Sequence, residues 1–129
     1  MIDRIDLHFW VQTQNIKLNQ ESTNCTLYST SNIRNSVLAA HQLQQQRFAN
    51  LPIFYNAEMS PAFIKQHCIC DAQAEQTLYQ AQRRFQLTTR SFFKVLKVAR
   101  TIADLEGQEI IGDAHLSEAL QYRPKEIVT

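Results

Sequence analysis

The 129-residue chain reads as an all-α protein, a small bundle of about five helices preceded by an orphan β-strand and a polar loop. Three observations predict this. Glycine and proline are scarce, with two and three copies. Apolar residues recur at spacings of three and four through most of the chain. Cap residues stand ahead of each such stretch.

Residues 3–12, DRIDLHFWVQ, alternate Ile5, Leu7, Phe9 and Val11 with polar neighbours, a half-buried strand pattern broken only by Trp10. No second strand follows to pair with it. It is therefore expected to belong to a sheet outside this chain, and to be poorly ordered or loosely docked. Residues 12–28 are rich in Gln, Asn, Thr and Ser without periodicity and read as a flexible loop. This divides the chain into 1–28, a strand remnant plus loop, and 29–129, a helical domain with its core from about Ser29 to Tyr122.

Ser29 or Ser31 caps the first helix, with Ile33, Val37 and Ala40 as its inner face and Gln42, Gln44, Gln45 and Gln46 as a solvated patch. Leu51-Pro52 stops it. Ser60-Pro61 opens a short helix with Phe63, Ile64 and Cys68 inward. Asp71 caps the next, striped by Ala74, Leu78, Ala81 and Phe85. After Gln86-Leu87, Thr88 or Thr89 caps a long helix to about Glu106, seamed by Phe92, Leu96, Ala99 and Ala103. Gly107 suits the left-handed residue that ends it. The last helix, from about Asp113 to Tyr122, turns Leu116, Ala119 and Leu120 inward, with Gly112 at a position where Ser or Thr is more usual.

Charge excludes some functions. A formal net charge of +1 argues against a surface that coats nucleic acid generally, leaving room for a local basic stripe. No apolar run approaches the roughly 20 residues that span a bilayer, and no signal-peptide pattern opens the chain. Three cysteines fit reduced thiols in a cytoplasmic protein. The two glycines, Gly107 and Gly112, exclude a phosphate-cradling G-x-x-x-x-G-K-[ST] loop.

On the long helix Arg90, Lys94, Lys97 and Thr101 share one face, with Arg100 at its edge. Most such stripes are solvated surface. Arg90 differs because it sits in the first turn, where free N–H groups favour anions and a guanidinium adds a bidentate phosphate ligand. A helix-turn-helix reading would aim Arg90, Lys94, Lys97 and Arg100 at a DNA groove, but Phe92 and Phe93 leave little polar surface there. His67-Cys68-Ile69-Cys70 lacks the second pair a structural zinc needs, so Cys68 reads as a core thiol and no metal site is expected. Asp104 and Glu106 read as surface ion-pair partners of little energetic weight.

DRIDLHFWV, NAEMSP, the Cys68–Asp71 region, LTTRSFFKVLKVARTIADLEG and HLSEALQYRP follow in an order that resembles the C-terminal end of magnesium-chelatase-related AAA+ ATPases of the ComM or YifB type. KVARTIADL and EALQYRP are the most specific segments. The resemblance implies a helical lid domain excised from a ring-forming motor, a likeness to hexamers, with ATP and Mg²⁺ bound in the full-length protein and no cofactor on this piece alone. It implies that the partners are the motor's own large domain and neighbouring subunits, with DNA a possible substrate beside a protein partner, and that no membrane is involved. Arg90 would match the sensor-2 arginine at the γ-phosphate. Arg4, beside Asp3 and Asp6, would match the arginine finger acting on a neighbour's ATP, or else form a structural ion pair. The stretch Leu18–Ser31 departs from the family in lacking a Gly-Glu run.

Overall fold

The computed structural model describes residues 4–13 and 29–124. Five helices follow in order: α1 (Thr30–Arg47), α2 (Pro61–His67), α3 (Ala72–Phe85), α4 (Thr89–Leu105) and α5 (Asp113–Gln121). A 3-10 turn at Asn56–Glu58 lies between α1 and α2. The expected all-α bundle is what forms, and the described residues contain no β-strand.

Local chemistry sets the helix boundaries. Ser29 Oγ accepts from the Asn32 amide at 3.2 Å, Ser60 Oγ from Phe63 at 3.4 Å, Asp71 Oδ1 from Ala74 at 2.7 Å and Thr88 Oγ1 from Ser91 at 3.1 Å. Each satisfies one amide that the helix leaves open, a contribution of about 1 kcal/mol. At the far end of α4 the Gln108 amide donates to Ala103 O and the Gly107 amide to Asp104 O. Gly107 takes φ +69°, so this is a Schellman ending that relies on glycine's freedom in the left-handed region. Between α3 and α4, Gln86 adopts φ 50°, which makes the turn tight without a glycine.

Helix α4 is the centre of the bundle. It packs against α1, α2, α5 and the 3-10 turn, while α3 closes on α5. Ala99 and Ala103 of α4, Ala74 of α3 and Leu116 of α5 have no exposed surface, and the small residues on α4 let its neighbours approach closely. Two loops also meet away from the helices. Cys70 and Ile111 form a single parallel bridge, with Asp71 N donating to Ile111 O at 3.0 Å and Ile111 N to Ile69 O at 2.8 Å.

Three expectations need correction. The face of α1 is misassigned: Ile33 and Val37 stay 50% and 53% exposed, and only Ala40 and Gln44 of this helix are buried. The physical reason is that every residue from Ser29 to Ala39 lies on the surface, so α1 joins the bundle only through its C-terminal part. Gln44 is therefore no part of a solvated patch; its Oε1 accepts from the Asn56 amide at 2.9 Å. Phe85 is 38% exposed rather than seamed into the core, and the Arg123 guanidinium covers its ring at 3.6 Å.

Residues 4–13 form no ladder, and the alternation there buries nothing: Ile5, Leu7, Phe9 and Val11 are all exposed. The segment is loosely docked on the end of α5. The His8 amide donates to Tyr122 O at 2.7 Å, and the Phe9 ring lies 6.4 Å from that of Tyr122. Most of the polar loop, residues 14–28, lies outside the described residues.

Candidate functional site

Thr88 starts α4 and thereby puts Arg90 at its second helical position. The Arg90 side chain is exposed and forms no ion pair with any described residue. One and two turns further on, Lys94 and Lys97 lie on the same side. All three line an open groove of about 590 Å³ walled by Ala57, Met59, Pro61, Ile64 and Phe93. Lys97 Nζ donates to Ala57 O at 3.0 Å, which fixes that lysine to the 3-10 turn. Lys94 Nζ is shielded from solvent, makes no hydrogen bond to any described residue and has Asp6 Oδ1 at 3.5 Å as its counter-charge. Asp6 apart, the charged groups of the groove are donors, a set suited to an anion.

Thr101, the fourth residue of the expected stripe, does not belong to this face. Its hydroxyl donates to Lys97 O at 3.0 Å and accepts from Asn56 Nδ2 at 3.1 Å, which places it in a second constellation. Arg100 is also withdrawn from the surface, with 1% exposure. A DNA-facing surface that includes Arg100 is incompatible with this burial.

The second constellation is a charged network inside the protein. The Asp104 carboxylate, fully buried, accepts from Arg47 NH1 at 2.9 Å and NH2 at 2.6 Å, from Arg100 Nε at 3.2 Å and from Asn56 Nδ2 at 2.9 Å. Asn56 Oδ1 accepts in turn from Arg47 NH1 at 3.0 Å. Arg100 also donates to the backbone carbonyls of Gln108 and Glu109. Burial pushes the Arg100 guanidinium down, and the Asp104 carboxylate opposes that. The network joins α1, the 3-10 turn, α4 and the loop before α5. The reading of Asp104 as an exposed partner was therefore wrong. A signal was present: Arg100 and Asp104 each follow a seam alanine, Ala99 and Ala103, which puts both charges at the border of the buried stripe.

Arg4 lies in the segment beside the groove, is exposed, and lines neither side of it. Its ion pair with Asp6 does not form, since Asp6 faces Lys94; Asp3 lies outside the described residues. Glu106, exposed as expected, takes a different partner: its Oε2 sits 2.6 Å from His115 Nε2. His115 Nδ1 accepts from the Gly112 amide at 3.0 Å, the returning half of a capping box that satisfies the N-cap's own N–H. Cys68 is buried, and burial pushes its thiol up to about 12. Burial also raises Cys70. Both are therefore protonated thiols at neutral pH.

A five-helix bundle with an arginine-led cationic groove at the start of α4, carrying the RTIADL and YRP segments, marks a magnesium-chelatase-related C-terminal domain. The sequence profile of the family described as magnesium chelatase, subunit ChlI C-terminal, matches residues 28–123, and the chain belongs to that family. It is 33% identical over 95 residues to competence protein ComM of Haemophilus influenzae. It is 34% identical over the same length to the uncharacterized protein YifB of Salmonella typhimurium and to YifB of Escherichia coli. Each match covers 74% of this chain and 18% of the relative, so the chain spans only a small part of those proteins. No helix among the described residues is long and apolar enough to cross a membrane.

Proposed function

We propose that this domain is the nucleotide-sensing lid of a ring-forming AAA+ ATPase, with Arg90 on the γ-phosphate of ATP bound against the large domain. The observation that carries the reading is Arg90 itself. It is exposed and without an ion-pair partner among the described residues, at the start of α4, above a groove whose other cations are Lys94 and Lys97. The planar guanidinium there can donate two parallel hydrogen bonds to the terminal oxygens of a phosphate. Mg²⁺ would arrive with the nucleotide and the large domain, because the described residues hold no carboxylate cluster for it. Arg4 is the residue we assign to a neighbouring subunit's ATP, in a hexameric cytoplasmic ring. DNA is the substrate we assign to the motor.

The test is ATP hydrolysis and ATP affinity in the full-length protein for Arg90→Ala. Turnover should collapse in a ring that still assembles. Unchanged hydrolysis would sink the assignment and leave the groove to another anion. The rival reading, a DNA-binding module built on α4, predicts micromolar duplex binding by this chain with steep salt dependence. The burial of Arg100 weighs against it.

A further inference from the structure

Two concavities meet at one ion pair. Asp6 and Lys94 line both the groove beneath Arg90 and a second hollow of about 170 Å³ bounded by Phe85, Leu87, Val95 and Arg123. Among the described residues Asp6 is the only carboxylate lining either of them, against Arg90, Lys94 and Lys97 in one and Lys94 and Arg123 in the other. A charge-assisted N–H···O bond closes to about 2.8 Å. Lys94 Nζ stands 3.5 Å from Asp6, shielded from water, with no hydrogen bond made. It is a cation with donors to spare, held by a carboxylate whose side chain is 55% exposed and free to leave. The segment bearing Asp6 is otherwise fastened by the His8–Tyr122 backbone bond and the Phe9–Tyr122 ring contact.

We propose that Asp6 is a stand-in for phosphate. A phosphate group entering the groove beside Arg90 takes Lys94 from Asp6 and loosens the segment that carries Arg4. The inference rests on the phosphate reading of Arg90 and adds a route from it. Two anions compete for one cation, and a multiply charged phosphate both outbids the single carboxylate and repels it. Linkage makes the effect reciprocal: whatever keeps Asp6 on Lys94 weakens phosphate, and removing Asp6 strengthens it. Arg4 is two residues from Asp6, so occupancy sensed on α4 alters how the proposed finger is held. Lys94 touches the phosphate in this scheme, and Asp6 acts as a positioning residue.

The experiment is a titration of the 129-residue chain with inorganic tripolyphosphate, followed by amide NMR and by the fluorescence of Trp10. Trp10 is the sole tryptophan and lies on the docked segment beside Tyr122. Amides of Arg90 to Lys97 and of Asp6 to Trp10 should shift together with one dissociation constant. Asp6→Asn should tighten binding by about two- to fivefold, the range that an exposed ion pair commands. Lys94→Met should weaken it and silence the response of the docked segment. If α4 responds while residues 6–10 stay silent, or if Asp6→Asn binds no more tightly, the exchange is wrong and the Arg90 reading survives. If α4 fails to respond even at tens of millimolar, the exchange is wrong, while the Arg90 reading stands or falls with hydrolysis by the full-length protein.

Discussion

Along α4, Arg90, Lys94 and Lys97 occupy the first half and Arg100 and Asp104 the second, all at spacings of three or four residues. In the first half the charges line an open groove, and two of them, Arg90 and Lys97, have no ion-pair partner among the described residues. In the second half the charges are enclosed, and the Asp104 carboxylate is shared among two arginines and an asparagine. The difference arises from what packs over the helix. The 3-10 turn and the end of α1 cover the second half, whereas Arg90 at the start of α4 stays open. A buried carboxylate must be paired to persist; a cation in a groove can wait for a ligand. The same residue types at the same spacing thus serve the bundle's integrity at one end and recognition at the other.

That division can be broken at the buried end first. Asp104→Asn leaves Arg47 and Arg100 without their carboxylate, and breaking such a buried pair costs about 3–5 kcal/mol. Urea unfolding should show the loss as a lower midpoint; a change under 1 kcal/mol would mean that the network is ornamental. Gly107→Ala should cost about 1–2 kcal/mol, since the left-handed backbone is strained for alanine even though a Cβ there meets no atom within 4 Å. A loss much larger than that would point to a steric clash instead.

A smaller effect concerns His67, which stands edge-on to Phe48 with rings 5.6 Å apart. Burial, and then the nearby Arg47, hold its pKa below the ordinary 6.5. The folded state therefore binds this proton less readily than the unfolded chain. Its contribution is whole above about pH 6.5 and is lost as pH falls through that value. His67→Gln should flatten the slope of stability between about pH 7 and pH 5, and an unchanged slope would refute the assignment. Smallest of all, Arg90→Ala should move folding stability by no more than about 0.5 kcal/mol, as for an ordinary surface residue. A larger change would show that the groove end too is structural, and the contrast along α4 would collapse.

What was legible in the sequence was local. Ser29, Ser60, Asp71, Thr88 and Gly107 announce the helix ends because a cap depends on residues three or four away. Arg90 was legible for the same reason, its position following from Thr88. Gln44, Arg100 and Asp104 were misread because their burial depends on Asn56 and Arg47, partners from other elements that no periodicity within one helix reports. The segment at residues 4–13 misleads in the other direction. Its alternation is real, yet nothing within the described residues offers the ladder it is written for, so its apolar side chains remain exposed.

The bridge between Cys70 and Ile111 has a consequence for how the domain assembles. It ties the entrance of α3 to the exit of α4, closing a circuit of about 40 residues around both helices, and such closure is entropically costly before its contacts form. Gln86 turns the chain from α3 into α4, but α3 packs chiefly against α5, so the clasp must await the arrival of α5. Asp71, which caps α3, and Gly112, which precedes α5, flank the clasp on either strand of backbone. Docking α5 and closing the clasp should therefore be one late, cooperative event, and a cut in the chain at Gln86–Leu87 would leave two pieces still held at that clasp.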